Sequence, residues 1–342
     1  MNLARGWLRP ALPIIVAATL ILAACGNADA GSSDGDNGDG GDAVSGSVFV
    51  SGSSTVEPIT TLVAELFAEE NSGFDYTVEG PGTGDGFALF CNGETDISDA
   101  SRAISEEEIA ACEEAGIEYT EILVAYDGLA VITSAENDAV SCLSFADLYA
   151  LLGPESQGFD TWAAANDLAG ELPEGFGEVH APYPDADLVV TAPGEESGTF
   201  DSFVEIALED IADERGQDAT TRPDYVASPN DNVIIEGITG TVTSLGWVGL
   251  AFASENAETV KIIEVDGGDG CVAPSAETVV DGSYPIARPL FIYVNNARAD
   301  DNPALVSFVD YYVENLDTAG EVGYVNLSDE EMAASQTAWE GR

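Results

Sequence analysis

Positive charge is scarce in this sequence. It contains 63 Asp and Glu residues against nine Lys and Arg, Lys261 is its only lysine, and the formal net charge at pH 7 is −54. A field this negative excludes binding of nucleic acid, or of an anionic membrane surface, by general electrostatic attraction. Two explanations of the acidity stay open. One is adaptation to high salt, where a screening length of about 3 Å at molar salt makes self-repulsion cheap. The other is a direct role in capturing cations.

Residue patterns typical of enzymes and metal sites are also missing. His180 is the only histidine and lies in a polar stretch where it is expected to be exposed, no two cysteines have C-x-x-C spacing, and no G-x-S-x-G pattern occurs. A hydrolase needs an activated nucleophile or a metal cluster, and zinc sites draw on clustered Cys and His. The sequence therefore predicts no catalytic residue, no metal and no cofactor.

The first 46 residues read as export and anchoring signals. Residues 1–24 combine basic Arg5 and Arg9 with an apolar stretch too short to span a bilayer comfortably. Cys25 follows Leu-Ala-Ala, the form of a bacterial lipobox, so Cys25 is predicted to be the lipidated first residue of the mature protein. The alternative is an ordinary signal peptide with a chance cysteine. Residues 25–46 are rich in Gly and Asp and predict a solvated tether.

Four cysteines remain in the body of the chain, an even number that favours disulfides in an exported protein. Three connectivities are possible. We favour Cys91–Cys112, which closes a short loop, together with Cys142–Cys271, which closes a long one.

Three times, a predicted strand passes through a turn of small residues into a predicted helix. The turns lie at 53–55, 83–86 and 197–199. This order is typical of an open α/β sheet, whose ligands bind beyond the carboxyl ends of the strands. Each turn offers hydroxyls, a glycine within it or directly before it, and a helix N-terminus, where free N–H groups and the helix dipole favour an anion. Each turn alone is equally compatible with an ordinary loop.

Taken together, the three turns predict one anion site built from neutral donors. Donors at about 2.7–3.0 Å in a water-poor cleft outweigh distant carboxylates that salt screens. Arg102, after the second turn, adds a planar guanidinium suited to a tetrahedral oxyanion. The alternative for Arg102 is an ordinary surface side chain.

Several stretches in combination resemble the periplasmic phosphate-binding proteins of ABC-type phosphate import. They are GSST at 52–55, GTGDGFALFCNGETDISDASR at 82–102, SGTFD at 197–201, DNV at 231–233 and YPIARPLF at 284–291. The resemblance covers about residues 47–335. It implies a two-lobed type II periplasmic-binding-protein fold of hinged open α/β sheets. Lobe I would comprise 47–126 and 286–342, lobe II 127–285, and the hinge strands would lie near 125–132 and 288–294.

The resemblance also implies which residues contact phosphate. Position by position, it assigns this role to Ser54, Thr55, Thr83, Gly84, Ser101, Arg102, Ser197, Gly198 and Thr199. Arg288, beside Pro289, is expected to be structural, at the hinge.

Two departures from the best-known members affect how a proton is recognised. Ser101 stands where those members have a proton-accepting Asp, and Pro193 stands where they have an arginine. Arg102 would then supply the cation, and Asp99, Glu196 and Asp201 are the candidate proton acceptors. Such an acceptor rejects sulfate, which has no proton to donate.

The resulting hypothesis is a monomeric, lipid-anchored receptor at the outer face of the membrane. It would close two lobes around inorganic phosphate and deliver it to the transmembrane subunits of an ABC permease. Three alternatives are a receptor for sulfate, molybdate or tungstate, a secreted phosphatase, and a cell-surface structural protein.

Overall fold

A computed structural model describes residues 44–195 and 197–342, and the predicted leader, the lipidation site Cys25 and most of the tether lie outside the described residues. The strands in chain order are β1 (Ser45–Gly52), β2 (Gly73–Glu79), β3 (Ile97–Ala100), β4 (Tyr119–Ser134), β5 (Cys142–Ser144), β6 (Val189–Ala192), β7 (Val226–Ala227), β8 (Ser244–Gly249), β9 (Val260–Ile262), β10 (Glu264–Asp266), β11 (Cys271–Val272) and β12 (Ala287–Asn295).

The helices in chain order are α1 (Glu57–Glu70), α2 (Thr83–Cys91), α3 (Glu106–Ala115), α4 (Phe145–Leu152), α5 (Asn166–Ala169), α6 (Gly198–Phe203), α7 (Glu209–Arg215), α8 (Asp231–Thr239), α9 (Leu250–Glu255), α10 (Ala276–Val280), α11 (Asn296–Asp301), α12 (Pro303–Glu314) and α13 (Asp329–Glu340). Short 3₁₀ segments cover Pro154–Ser156, Trp162–Ala165 and Leu316–Val322, and a π-helical segment, Val204–Leu208, joins α6 to α7. None of the helices in the described ranges is both long and apolar enough to cross a membrane.

The three predicted strand–turn–helix units are present. β1 leads through 53–56 into α1, β2 leads through 80–82 into α2, and β6 leads through 193–197 into α6. The helix expected after the third turn continues through the π-helical segment Val204–Leu208 before α7. Such π insertions are uncommon and are frequently found at functional sites.

One long strand runs through the main sheet. The strand order is β2-β1-β3-β12-β4-β8-β6-β7, with β9 also paired to β4. β1 runs parallel to β2 and β3, while β12 and β8 run antiparallel to β4. The 16-residue β4 includes positions 125–132, near which one of the two hinge strands is expected.

The apolar residues form two large cores. The terminal core takes its buried residues from positions 48–125 and 290–339, including Phe67, Phe308 and Trp339. The middle core takes its buried residues from positions 129–286, where Phe203 stacks on Trp247 with ring centroids 4.1 Å apart. β4 supplies buried residues to both cores, whereas β12 supplies buried residues to the terminal core and packs its partly buried Ala287 against the middle core, so these two strands link the cores.

Both favoured disulfides are present. Cys91–Cys112 joins α2 to α3, and Cys142–Cys271 joins β5 to β11. The Cys91–Cys112 disulfide therefore fixes α2, the helix that follows the second turn, to α3.

Candidate functional site

The first turn is held at the carboxyl end of β1 by an unusually close strand approach. A Cβ on Gly52 would lie 2.0 Å from the carbonyl oxygen of Asp99, so only glycine fits there. The N–H of Ser53 donates to that same carbonyl at 2.9 Å. The chain then turns through Ser54 and Thr55 into α1, and these hydroxyls lie at the sheet edge where α/β ligands bind.

The second turn brings the N-terminus of α2 beside the first. Gly82 has φ +111, which favours glycine, and no side chain caps the helix that begins at Thr83. A Cβ on Gly86 would lie 2.4 Å from Cα of Gly52, so α2 packs directly on β1. The first N–H groups of this helix, which begins beside the first turn, are therefore candidate anion donors.

Ser101 and Arg102 complete this side of the site. The N–H of Ser101 donates to Thr83 Oγ1 at 3.2 Å, and the two hydroxyl oxygens are 3.0 Å apart. The Arg102 guanidinium lies 5.7 Å from the ring centroid of Phe87 and forms a two-pronged pair with Glu108, both bonds at 2.8 Å. These hydrogen bonds are the largest contribution raising the pKa of Arg102.

The third turn lies against the first. Ser197 caps α6 by accepting from the N–H of Thr199, and a Cβ on Gly198 would lie 3.1 Å from the carbonyl oxygen of Ser54. Further along α6, Asp201 Oδ2 accepts from the Ser54 hydroxyl at 2.8 Å.

These segments enclose a cleft of about 300 Å³. Its lining combines hydroxyls and glycines with one guanidinium and three carboxylates: Ser53, Ser54, Thr55, Gly82, Thr83, Gly84, Ser101, Arg102, Asp201, Glu205 and Glu209. Burial raises the pKa of Glu209, and the neighbouring carboxylates, Glu205 first, raise it further.

The structure brings most of the predicted site residues together. Six predicted contact residues and one proton-acceptor candidate line the cleft: Ser54, Thr55, Thr83, Gly84, Ser101, Arg102 and Asp201. Ser197, Gly198 and Thr199 lie beside it, against the first turn, without being among its lining residues. Glu196 lies outside the described residues.

Asp99 lies in the core and not on the cleft. Its side chain is fully buried and accepts a hydrogen bond from Thr60 at 3.0 Å, next to Tyr312. Burial raises the pKa of Asp99 to about 8, against the lowering effect of the Thr60 hydrogen bond. Sequence reasoning could not give this orientation, because it depends on which way the carboxylate leaves β3.

Sequence reasoning missed the importance of Arg288. This buried arginine donates to Thr55 Oγ1 at 3.1 Å and to Ser202 Oγ at 2.8 Å, and it pairs with Glu205 at 2.6 Å. It therefore contacts the first turn directly, beyond the hinge role that was expected. Glu205 and Glu209 were also missed, and the helical spacing of carboxylates after Asp201 is the signal that could have found them.

The other basic side chains of the described residues are engaged away from the cleft. Arg215 pairs with Glu155, Arg222 with Asp224 and Arg298 with Asp96, Arg342 stacks on Trp339, and Lys261 donates to the carbonyl of Asn137.

Among the described residues, one group of metal-ligating side chains clusters: Cys142, His180 and Cys271. The two sulfurs form a disulfide, and Nδ1 of His180 is 2.6 Å from the buried carboxylate of Asp147. Because the thiolates that zinc requires are consumed, this group is not a metal site in the oxidised protein.

The chain matches known proteins along most of its length. A family profile described as the PBP superfamily domain matches residues 37–315. Protein SphX of Synechocystis is 39% identical over 286 residues, which is 83% of this chain and 79% of the relative. The phosphate-binding protein PstS of Staphylococcus epidermidis is 31% identical over 315 residues, covering 91% of this chain and 86% of the relative.

Among solved structures, a possible phosphate-binding protein from Planctomyces limnophilus superposes with a TM-score of 0.76 and 32% identity. The match covers 87% of this chain and 99% of that one. The expected two-lobed periplasmic-binding-protein fold is thus confirmed. The PstS relatives are named for binding and not for catalysis, in line with the expectation that this chain is not an enzyme. The chain therefore belongs to the periplasmic binding protein superfamily, in the branch that contains the proteins named PstS and SphX.

Proposed function

We propose that this protein is an extracytoplasmic receptor that captures inorganic phosphate in the cleft and delivers it to an ABC-type permease. The observation that carries the proposal is the meeting of two hydroxyl-bearing turns, the uncapped N-terminus of α2 and Arg102 on one small cleft. The PstS relatives are named for phosphate binding, and the chain aligns with them over most of its length.

Local donors make anion capture feasible in so acidic a molecule. A surface carboxylate more than a Debye length away, about 8 Å at physiological salt, is largely screened. Donors in contact with the anion act in a cleft of lower effective dielectric and are screened much less. The net charge of −54 therefore does not decide the sign of the potential that a bound anion meets.

We assign the contact roles as follows. Thr83 and Gly84 supply N–H groups at the start of α2, and Ser54, Thr55 and Ser101 supply hydroxyl or backbone donors. Arg102 supplies the guanidinium, exchanging its pairing with Glu108 for the anion. Ser197, Gly198 and Thr199, which lie against the first turn, would reach the anion after a small closure of the lobes.

Of the candidate proton acceptors, we favour Asp201. It lies on the lining and already accepts from Ser54, whereas Asp99 is fully buried and bonded to Thr60. A carboxylate acceptor favours an anion that still carries a proton, and so discriminates phosphate from sulfate.

We further propose how the chain divides into two lobes and how it is attached to the membrane. Lobe I, residues 47–126 and 286–342, would surround the terminal core, and lobe II, residues 127–285, the middle core. The division is supported by the two sets of core positions, which meet in β4 and β12. Residues 1–24 would be a lipoprotein leader, Cys25 the lipidated residue and 25–46 the tether, placing a monomer at the outer face of the membrane.

The acidity we attribute to life at high salt. This proposal is supported by the pairing of almost all Lys and Arg side chains in the described residues with carboxylates or carbonyl groups. The many remaining Asp and Glu side chains in this part of the chain have no cation to pair with.

Calorimetric titration of the mature protein tests the function. Phosphate, sulfate, molybdate and tungstate are titrated separately, on either side of the second ionisation of phosphate. We expect phosphate to bind and sulfate to compete poorly. Binding of molybdate or sulfate without phosphate would make the protein a receptor for another oxyanion, and absence of all four would refute the proposal.

A further inference from the structure

Glu205 is a carboxylate on the lining of a cleft proposed to bind an anion. Its Oε2 accepts from Arg288 Nη1 at 2.6 Å, and its side chain is 43% exposed, so it faces both a buried cation and the open cleft. A fixed negative charge in this position opposes the entry of phosphate unless it can move.

The other two nitrogens of the Arg288 guanidinium, Nη2 and Nε, face residues other than Glu205. Its Nη2 donates to Thr55 Oγ1 and to Ser202 Oγ, and its Nε lies 3.7 Å from Asp127 Oδ2. Asp127 is buried, and desolvation raises its pKa while Arg288 opposes that rise. The Arg288 guanidinium is thus held against the first turn, and its Nη1 group donates to Glu205.

Glu205 also acts on the second guanidinium of the site. After the Glu108 hydrogen bonds, which dominate, the negative charge of Glu205 contributes to raising the pKa of Arg102. One carboxylate therefore interacts with both arginines that adjoin the cleft, as a tetrahedral anion in the cleft would do. It resides in the π-helical segment Val204–Leu208, where the regular α-helical hydrogen-bond ladder is interrupted.

We propose that Glu205 is an internal competitor for the anion. Its carboxylate occupies Arg288 while the cleft is empty, and the incoming anion displaces it and takes the freed Nη1 donor. This inference rests on the proposed function and adds a residue that limits affinity and favours release. Arg288 is accordingly a positioning residue for the first turn and a second cation for the bound anion.

The test is phosphate titration of Glu205→Gln and Arg288→Lys alongside the unmodified protein. Removing the competing charge should tighten binding about two- to fivefold in Glu205→Gln, the scale of one partly exposed ion pair. Arg288→Lys should bind more weakly, because lysine keeps the charge but loses the fork that contacts Thr55 and Ser202. A purely structural ion pair would not give opposite signs for its two members.

Glu209→Gln is the matched control, because it removes one negative charge from the same lining while the hydrogen bonds of Arg288 go to Glu205, Thr55 and Ser202. Its gain in affinity should be smaller and should fade between about 0.1 M and about 1 M KCl, where the screening length falls from about 10 Å to about 3 Å. The gain in Glu205→Gln should persist, because a contact pair is screened much less.

The outcomes separate the two proposals. If the unmodified protein does not bind phosphate, the proposed function fails. If it binds phosphate and Glu205→Gln binds equally or more weakly, or gains no more than Glu209→Gln, the internal-competitor role is overturned. Circular dichroism and thermal unfolding verify that each variant is folded, and Glu205→Ala, which should also bind more tightly, is the second variant.

Discussion

Two arginines adjoin the cleft, and they differ in how much freedom they keep. Arg102 is partly exposed and paired with Glu108 of α3, whereas Arg288 is buried and bonded to Thr55, Ser202 and Glu205. An exposed pair is cheap to exchange, since such pairs stabilise by about 0–1 kcal/mol. We therefore expect Arg102 to be the arginine that turns toward a bound anion.

Replacing Arg102 with Met should weaken phosphate binding about ten- to 100-fold, the range for loss of a charged hydrogen bond. Stability should change little, because the ion pair that is lost is partly exposed and methionine can retain apolar contact with the Phe87 ring. Arg298→Met is the control, since it removes an equally exposed arginine that pairs with Asp96 outside the cleft. Equal losses in the two variants, measured by calorimetry, would mean that total charge and not the Arg102 guanidinium governs binding.

Asp99 should make the protein less stable as pH rises. Its pKa is about 8 in the folded protein, raised by burial, against about 3.9 in an unfolded chain. As pH rises, the unfolded chain loses the Asp99 proton near pH 4, whereas the folded protein keeps it until about pH 8. The free energy of unfolding should therefore fall progressively between about pH 4 and about pH 8, by on the order of 5 kcal/mol at most.

Urea unfolding between these pH limits measures the effect. In Asp99→Asn the amide cannot ionise, so this part of the pH dependence should disappear. Phosphate affinity at fixed pH should be affected far less than in Arg102→Met. An unchanged pH profile in Asp99→Asn would show that Asp99 is already ionised in the folded protein.

At the scale of elements, the site depends on how closely α2 approaches β1. Glycines at 52 and 86 allow the backbones to touch, and the Cys91–Cys112 disulfide ties the far end of α2 to α3. The helix end that should hold the anion is therefore positioned by backbone contact, and not by side chains that could adjust.

Gly86→Ala should disrupt this arrangement. The added methyl would lie 2.4 Å from Cα of Gly52, and overpacking of a tight contact costs about 1–3 kcal/mol or more. Phosphate affinity should fall with stability, because the first and second turns would be forced apart.

Gly84→Ala is the matched control in the same helix. A Cβ at this position meets no atom within 4 Å, and the backbone N–H is retained. This variant should fold normally and unfold at a similar urea concentration. Equal destabilisation of both variants would contradict the packing explanation and point to glycine's backbone freedom instead.

The parts of the fold that could be predicted are those fixed by local chemistry. Small-residue turns predicted the three strand–turn–helix units, and cysteine number with loop length favoured the two disulfides that are present. Arg288 was underestimated because its contact with Thr55 spans 233 residues in sequence and arises only after β12 joins the sheet. The direction of the Asp99 side chain and the π-helical segment at Glu205 likewise depend on tertiary packing.

At the scale of the whole molecule, the dominant fact is the imbalance of charge. With 63 acidic residues and nine Lys and Arg, the folded state carries strong self-repulsion at low ionic strength. Screening removes most of that repulsion without disturbing contacts inside the cleft.

The free energy of unfolding should therefore rise with KCl, most steeply up to about 1 M, where the screening length has already fallen to about 3 Å. Urea or thermal unfolding at stepped KCl concentrations measures it. A rise that continues with constant slope would indicate exclusion of salt from the surface. No rise at all would contradict adaptation to high salt.

A crystal structure of the phosphate complex would locate the anion directly. We expect phosphate between the first two turns, with donors from Thr83 or Gly84 at the start of α2 and with Arg102 released from Glu108 onto the anion. Phosphate bound outside this cleft, or bound within it while Arg102 stays paired with Glu108, would contradict an anion site built from neutral donors together with the Arg102 guanidinium.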